Sequence, residues 1–232
     1  MTGMVETASL DMTPLWITLQ VAALTVVLLL IFGAPIAWWL ANTRSRYKVA
    51  IEAVTALPLV LPPTVLGFYL LLVMGANGAA GQFWTSLTGH PLAFSFAGLV
   101  VASCVYSLPF VVQPLQAAFE SLDKRSVEAA WTLGASRART FVQIVIPQIR
   151  RGLLTAIVLG FAHTLGEFGV ILMVGGNIPG ETQVVSIAIY EQVETLNYAH
   201  AHKLSAGLLL FSFLVLLLVY GVNRRWHTEL KI

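Results

Sequence analysis

Residues 120–151 read ESLDKRSVEAAWTLGASRARTFVQIVIPQIRR, a stretch too charged for lipid and too regular in its apolar residues for a disordered linker. Apolar side chains recur at helical spacing in Val127, Ala130, Trp131 and Leu133, and again in Phe141, Ile144 and Val145. Gly134 stands between the two groups, so the pattern predicts two short helices joined at a glycine turn. The sequence on both sides is very different. Apolar runs occupy about 15–41, 49–75 and 92–119 before this segment and 152–174 and 204–222 after it, and none contains Lys or Arg. A helix needs roughly 20 apolar residues to cross a hydrocarbon core about 30 Å thick, so each run is a candidate span.

The expected fold is therefore all-α: a polytopic transmembrane helical bundle of about five spans, forming one domain over 1–232. The composition of the 232 residues agrees, with 57% hydrophobic and 10% charged residues, and excludes a soluble domain with a charged surface. The first run is preceded by Glu6 and Asp11 without Lys or Arg, and it is too long for the apolar core of a secretory signal, which predicts a retained helix. Cys104, the single cysteine, lies inside the third run and reads as a packing residue.

Charge sets the orientation. Arg44, Arg46 and Lys48 follow the first run; Lys124, Arg125, Arg137, Arg139, Arg150 and Arg151 lie between the third and fourth; Arg224, Arg225 and Lys231 follow the fifth. Of the 13 basic residues only Lys203 falls on the other side, together with Glu6, Asp11, Glu181, Glu191 and Glu194. Basic residues collect in cytoplasmic loops, which predicts an outside N-terminus, a cytoplasmic C-terminus and a cytoplasmic 120–151 segment. This topology accounts for the net charge of +2, and no basic run suggests nucleic acid as a partner.

Several spans carry groups that disturb a helix in lipid. Pro35 lies in the first run, Pro58, Pro62 and Pro63 in the second, and Pro109 and Pro114 in the third, each removing a helix hydrogen bond. Freed backbone groups at membrane depth need protein or a water-filled cavity beside them, so PLVLPPTVLG at 58–67 is placed against a translocation path. The fourth run holds His163 and Glu167, whose spacing of four predicts a shared helix face. A charge at the bilayer centre costs at least ~2.5–3.5 kcal/mol on insertion scales, so the pair is read either as a packing device near Gly166 and Gly169 or as part of a pore or gate.

The string Glu128-Ala129-Ala130, followed by Gly134, Ile144 and Pro147, resembles the EAA loop of ABC importer permeases, the binding-protein-dependent inner membrane components with the type I importer fold. The resemblance runs from about Leu15 to Tyr220. PLVLPPTVLGFYLL at 58–71 and LGEFGVILMVGGNIPGET at 165–182 are similar to molybdate permeases in particular, while sulfate and thiosulfate permeases share an element like 166–169. It implies that the segment at about 120–151 is a coupling loop that docks into a groove of a cytoplasmic ATPase and carries its closing motion to the membrane domain. Glu128, Ala129, Ala130, Gly134, Ala135, Arg137, Ile144 and Pro147 are its candidate residues. Small Ala129, Ala130, Gly134 and Ala135 would allow close approach, and Glu128, Arg137 and Arg139 would supply charged contacts.

The implied cargo is molybdate, with tungstate as a further oxyanion. Holding a divalent oxyanion in a dry site calls for Arg, Lys or helix-end N–H groups, and no span holds a cation. A weakly binding path is expected, with selection left to an external or periplasmic oxyanion-binding protein. Pore or gate candidates are Pro62, Pro63, Thr64, His163, Thr164, Glu167 and Asn177. The glycine-rich stretch 75–81 is followed by Gln82 and lacks the Lys-Ser/Thr of a phosphate loop, so ATP and Mg²⁺ belong to a partner subunit and this chain is expected to be a transport subunit without catalytic residues, bound cofactor or metal. Five spans are few to enclose a pathway. A homodimer with two ATPase subunits is expected. A sulfate or thiosulfate permease, a proton-coupled secondary transporter using Glu167 and His163, and a membrane scaffold are the competing readings; the absence of an internal repeat counts against the second.

Overall fold

Pro14 sits in the first turn of α1 (Thr13–Asn42), where a missing N–H costs nothing, and the helix then runs 30 residues through Pro35 without a break. The computed structural model describes residues 11–228, with no side-chain description for 219, 220 and 222–228; Glu6 and Lys231 lie outside the described residues, as do the side chains of Arg224 and Arg225. The chain continues through α2 (Lys48–Val60), α3 (Pro63–Met74), α4 (Ala79–Thr88), α5 (Phe96–Glu120), α6 (Lys124–Thr132) and α7 (Arg137–Thr140). A π-helical turn at Phe141–Val145 leads into α8 (Ile146–Leu165), followed by α9 (Gly169–Gly175), α10 (Val185–Glu194) and α11 (Tyr198–Thr228). No strand occurs among the described residues.

Among the described residues four helices are long and apolar enough to cross a membrane, or five if the bent pair α2 and α3 counts as one span. That pair corrects the single span expected at 49–75. Its two helices, of 13 and 12 residues, meet at 113°, and at ~1.5 Å per residue neither alone reaches across the hydrocarbon. The cause is local: a proline biases the residue before it away from the helical region, and Leu61 and Pro62, consecutive residues that each precede a proline, have ψ of 135° and 136°. Pro63 then opens α3.

The fourth run is also divided. α8 ends at Leu165, the chain leaves the helix over 166–168, and α9 starts afresh at Gly169. His163 and Glu167 therefore do not share a helix face; Glu167 stands beyond the helix end. At its other end the same span begins early. Arg137–Leu165 is a continuous helical stretch of 29 residues, so the second helix expected in the 120–151 segment is the first turns of a span.

α5 is the central element, packed between α1 and α8. Leu29, Ala37 and Leu40 of α1 meet Val111, Val112 and Leu115 of α5, with Val145, Ile149 and Ala156 behind them. Nearer the other end, Ile17 and Val21 meet Leu99, Val100, Ile171 and Ile187. α3 packs on α9, and here glycine is required twice: a Cβ on Gly169 would lie 2.9 Å from Pro63 Cβ, and one on Gly67 2.8 Å from Met173 Cβ. The helix break at Pro62 and the break at 166–168 thus lie against each other. By contrast only 6% of the most apolar window of α11 is buried, which leaves Leu209, Leu210, Phe213 and Leu217 to face outward.

Candidate functional site

Asp123 starts α6. Its carboxylate accepts from Ser126 Oγ at 2.6 Å and from the Arg125 N–H at 3.1 Å, and these bonds, the Ser126 one first, hold its carboxyl below the ordinary value. The Asp123 N–H donates to Gln148 at 3.2 Å, tying the start of α6 to α8. α6 ends in a Schellman motif: Gly134 at φ 81° donates to the Trp131 carbonyl, and Ala135 donates to that of Ala130, both at 3.0 Å. The turn needs a left-handed residue and glycine takes it without strain. Ser136 then caps α7 through the Arg139 N–H.

This geometry separates the loop's side chains. Ala130 is buried and Val127 packs on the core, whereas Glu128, Ala129, Trp131 and Gly134 are exposed and Leu133 is 88% exposed. Ala135 and Ile144 are half-buried; Arg137 and Pro147 are exposed. The result is a compact, pre-ordered surface with apolar and small residues at its crest and charge at its flanks. Below it, Lys48 of α2 lies 3.7 Å from Glu52 and 3.4 Å from Glu120 of α5, and Gln116 donates to both carboxylates, at 2.7 and 3.1 Å.

The pore and gate candidates fall into three places. Pro62, Pro63 and Thr64 are exposed at the α2–α3 break. His163, Thr164 and Glu167 belong to a buried polar knot between α5 and the end of α8. Ser103 donates to Glu167 at 2.8 Å, and Ser107, one turn on, meets His163 Nδ1 at 2.9 Å and Thr164 at 3.0 Å. Thr164 spends its proton on the Gly160 carbonyl at 2.9 Å, so all partners are satisfied when Ser107 donates to Thr164 and His163 Nδ1–H donates to Ser107. Phe110 stacks on the His163 ring at 3.8 Å, and Ser186 of α10 donates to the Glu167 carbonyl at 2.7 Å. Glu167 is 3% exposed, and its second oxygen, Oε1, has no hydrogen-bond partner among the described residues.

Asn177 lies apart, on the exposed loop between α9 and α10. It donates to Glu191 at 3.1 Å and accepts from Gln183 at 2.9 Å, while Thr182 anchors the loop to the Gly175 carbonyl at 2.7 Å. Ser103, Ser107, Ser186 and Gln183 were not singled out from sequence. The serines did leave one trace, since two hydroxyls four residues apart inside the third apolar run form a polar stripe on one helix face.

Residues 33–228 match the family described as binding-protein-dependent transport system inner membrane component. The chain is 58% identical over 214 residues to a molybdenum transport system permease protein of Azotobacter vinelandii, covering 92% of this chain and 95% of that one. It is 37% identical to the molybdenum transport system permease protein of Haemophilus influenzae, covering 95% and 97%. Among solved structures, a bacterial ABC transporter involved in the import of alginate matches with a TM-score of 0.74 at 17% identity, covering 94% of this chain and 80% of that one, a likeness of fold.

Proposed function

Because the chain belongs to the binding-protein-dependent transport system inner membrane components, a family of multi-pass permeases, we propose that two copies of it form the membrane pathway of an ATP-driven importer of molybdate, with tungstate as a second cargo. The observation that carries the cargo is the 58% identity to a molybdenum permease along nearly the whole chain. In this reading the N-terminus is outside, the C-terminus and the 120–151 segment are cytoplasmic, and an external oxyanion-binding protein delivers the anion. ATP and Mg²⁺ are held by two partner ATPase subunits.

The residues divide the work. Glu128, Ala129, Gly134 and Leu133 present the docking surface, since an exposed apolar crest with small residues around it suits a partner groove. Ala130, Ala135, Ile144 and Pro147 fix that crest on the membrane helices, and Arg137 flanks it. Pro63 packs on Gly169 beside the break at 166–168 and forms the gate with Pro62 and Thr64, while His163, Thr164 and Glu167 brace it through α5. Without a Lys or Arg in the apolar runs, the pathway at membrane depth offers the anion hydroxyls, amides and backbone N–H groups, Thr64 and Asn177 among them, so it passes the anion on and does not trap it.

A sulfate permease is the second reading, favoured by the Gly-Glu-Phe-Gly element at 166–169 that resembles that group. Uptake of labelled molybdate into vesicles holding the permease, its ATPase and its binding protein separates them. The expected result is uptake that requires ATP, persists under excess sulfate and collapses in Glu128→Arg. Equal competition by sulfate would overturn the cargo alone, and uptake without ATP would overturn the importer.

A further inference from the structure

Beside the loop, α1 and the start of the Arg137–Leu165 helix enclose a groove of about 990 Å³, at the upper end of the range for small-molecule sites. Ile31, Ala34 and Trp38 supply one wall, following a single face of α1 at i, i+3 and i+7. Trp131 and Phe141 supply the other. Trp38 stands edge-on to Phe119 at 5.0 Å and to Phe141 at 6.4 Å, so the floor is a locked aromatic cluster. The groove is open sideways: Ile31 is 57% exposed and Trp131 51%.

Among the described residues Arg137 is the single charged one lining it. Its guanidinium makes no hydrogen bond or ion pair among the described residues, whereas Arg139 two positions on is tied to Gln143 at 3.0 Å. The site is thus apolar where it follows the α1 span and cationic where it reaches the loop. Tryptophans line the boundary between the two, the place they take at a membrane interface.

We propose that this groove binds one anionic phospholipid of the inner leaflet, with an acyl chain along Ile31 and Ala34 and the headgroup phosphate on Arg137. A guanidinium grips a phosphate with two parallel hydrogen bonds, and basic pockets beside membrane helices at the cytoplasmic face suit anionic headgroups. The site rests on the cytoplasmic placement of the loop proposed above.

The test uses the permease–ATPase complex in nanodiscs of phosphatidylcholine with a minor share of phosphatidylglycerol, and counts retained lipid by native mass spectrometry. The expected result is one phosphatidylglycerol per permease copy, reduced about tenfold both in Arg137→Gln and in Ala34→Trp, which fills the slot, and unchanged in Arg139→Gln. Wild-type retention in both Arg137→Gln and Ala34→Trp would overturn the site, as would disulfide cross-linking of Ala34→Cys to a second copy. ATP-driven molybdate uptake by the wild-type complex, measured in parallel, keeps a failure of the lipid site distinct from a failure of the importer reading.

Discussion

Around Glu167 polar side chains are buried in an apolar surrounding, whereas around Leu133 apolar side chains stand in the open. Ser103 and Ser107 have no exposed surface and Leu133 is 88% exposed. The two regions invert the ordinary rule in opposite senses, and the reasons differ. In the knot, hydroxyls, an imidazole and a carboxylate on neighbouring helices satisfy one another within an apolar surrounding, with Glu167 Oε1 left over. The loop is already satisfied locally, through the Asp123 cap and the Gly134 turn, and the apolar surface it leaves over stays exposed among the described residues. One region is turned in on itself and the other is the surface proposed above to meet a partner ATPase.

The sharpest way to break this comparison is Leu133→Asp. It is expected to reduce ATP-driven uptake and co-purification of the ATPase by at least about tenfold, while leaving thermal unfolding of the isolated permease within ~0.5 kcal/mol. A parallel fall in permease stability would show that Leu133 belongs to the chain's own packing. Gly169→Val comes next, since its side chain would be driven into Pro63, 2.9 Å from the position of a Cβ. Thermal unfolding in detergent should fall by about 1–3 kcal/mol, and an unchanged midpoint would separate the two breaks. The smallest effect is expected of Ser103→Ala, which leaves Glu167 without its side-chain donor; about 1 kcal/mol should be lost and mostly recovered in Ser103→Thr. No loss at all would mean that the knot is not closed on itself.

Much of this could be read in the chain before any coordinates. α1, α5 and α11 are apolar runs with ordinary helix signals, and Gly134 between two periodic groups marked the turn in the loop. The bend at Pro62 was half legible: the prolines told of interruption, but not of a 113° angle, which depends on what receives α3. That receiver is α9, and its separate existence was hidden because the apolar run resumes directly after the lone Glu167. Glycine and a buried glutamate end α8 there through contacts with α5 and α10, residues distant in sequence. The knot escaped for the same reason, since a serine in an apolar run says nothing of the histidine or threonine it will meet. α4 and α10, of 10 residues each, are too short to register as spans.

The unbroken run from Arg137 to Leu165 has a mechanical consequence. At ~1.5 Å per residue, its 29 residues make a rod about 44 Å long, with the docking crest at one tip and the 166–168 break at the other. Its one irregularity, the π-turn at Phe141–Val145, sits near the crest, so the remaining length transmits tilt and twist without an intervening joint. A pull at the loop tip is then a lever stroke at the far one: a tilt of a few degrees about the middle of the rod displaces Leu165, where the 166–168 break begins, by an ångström or more.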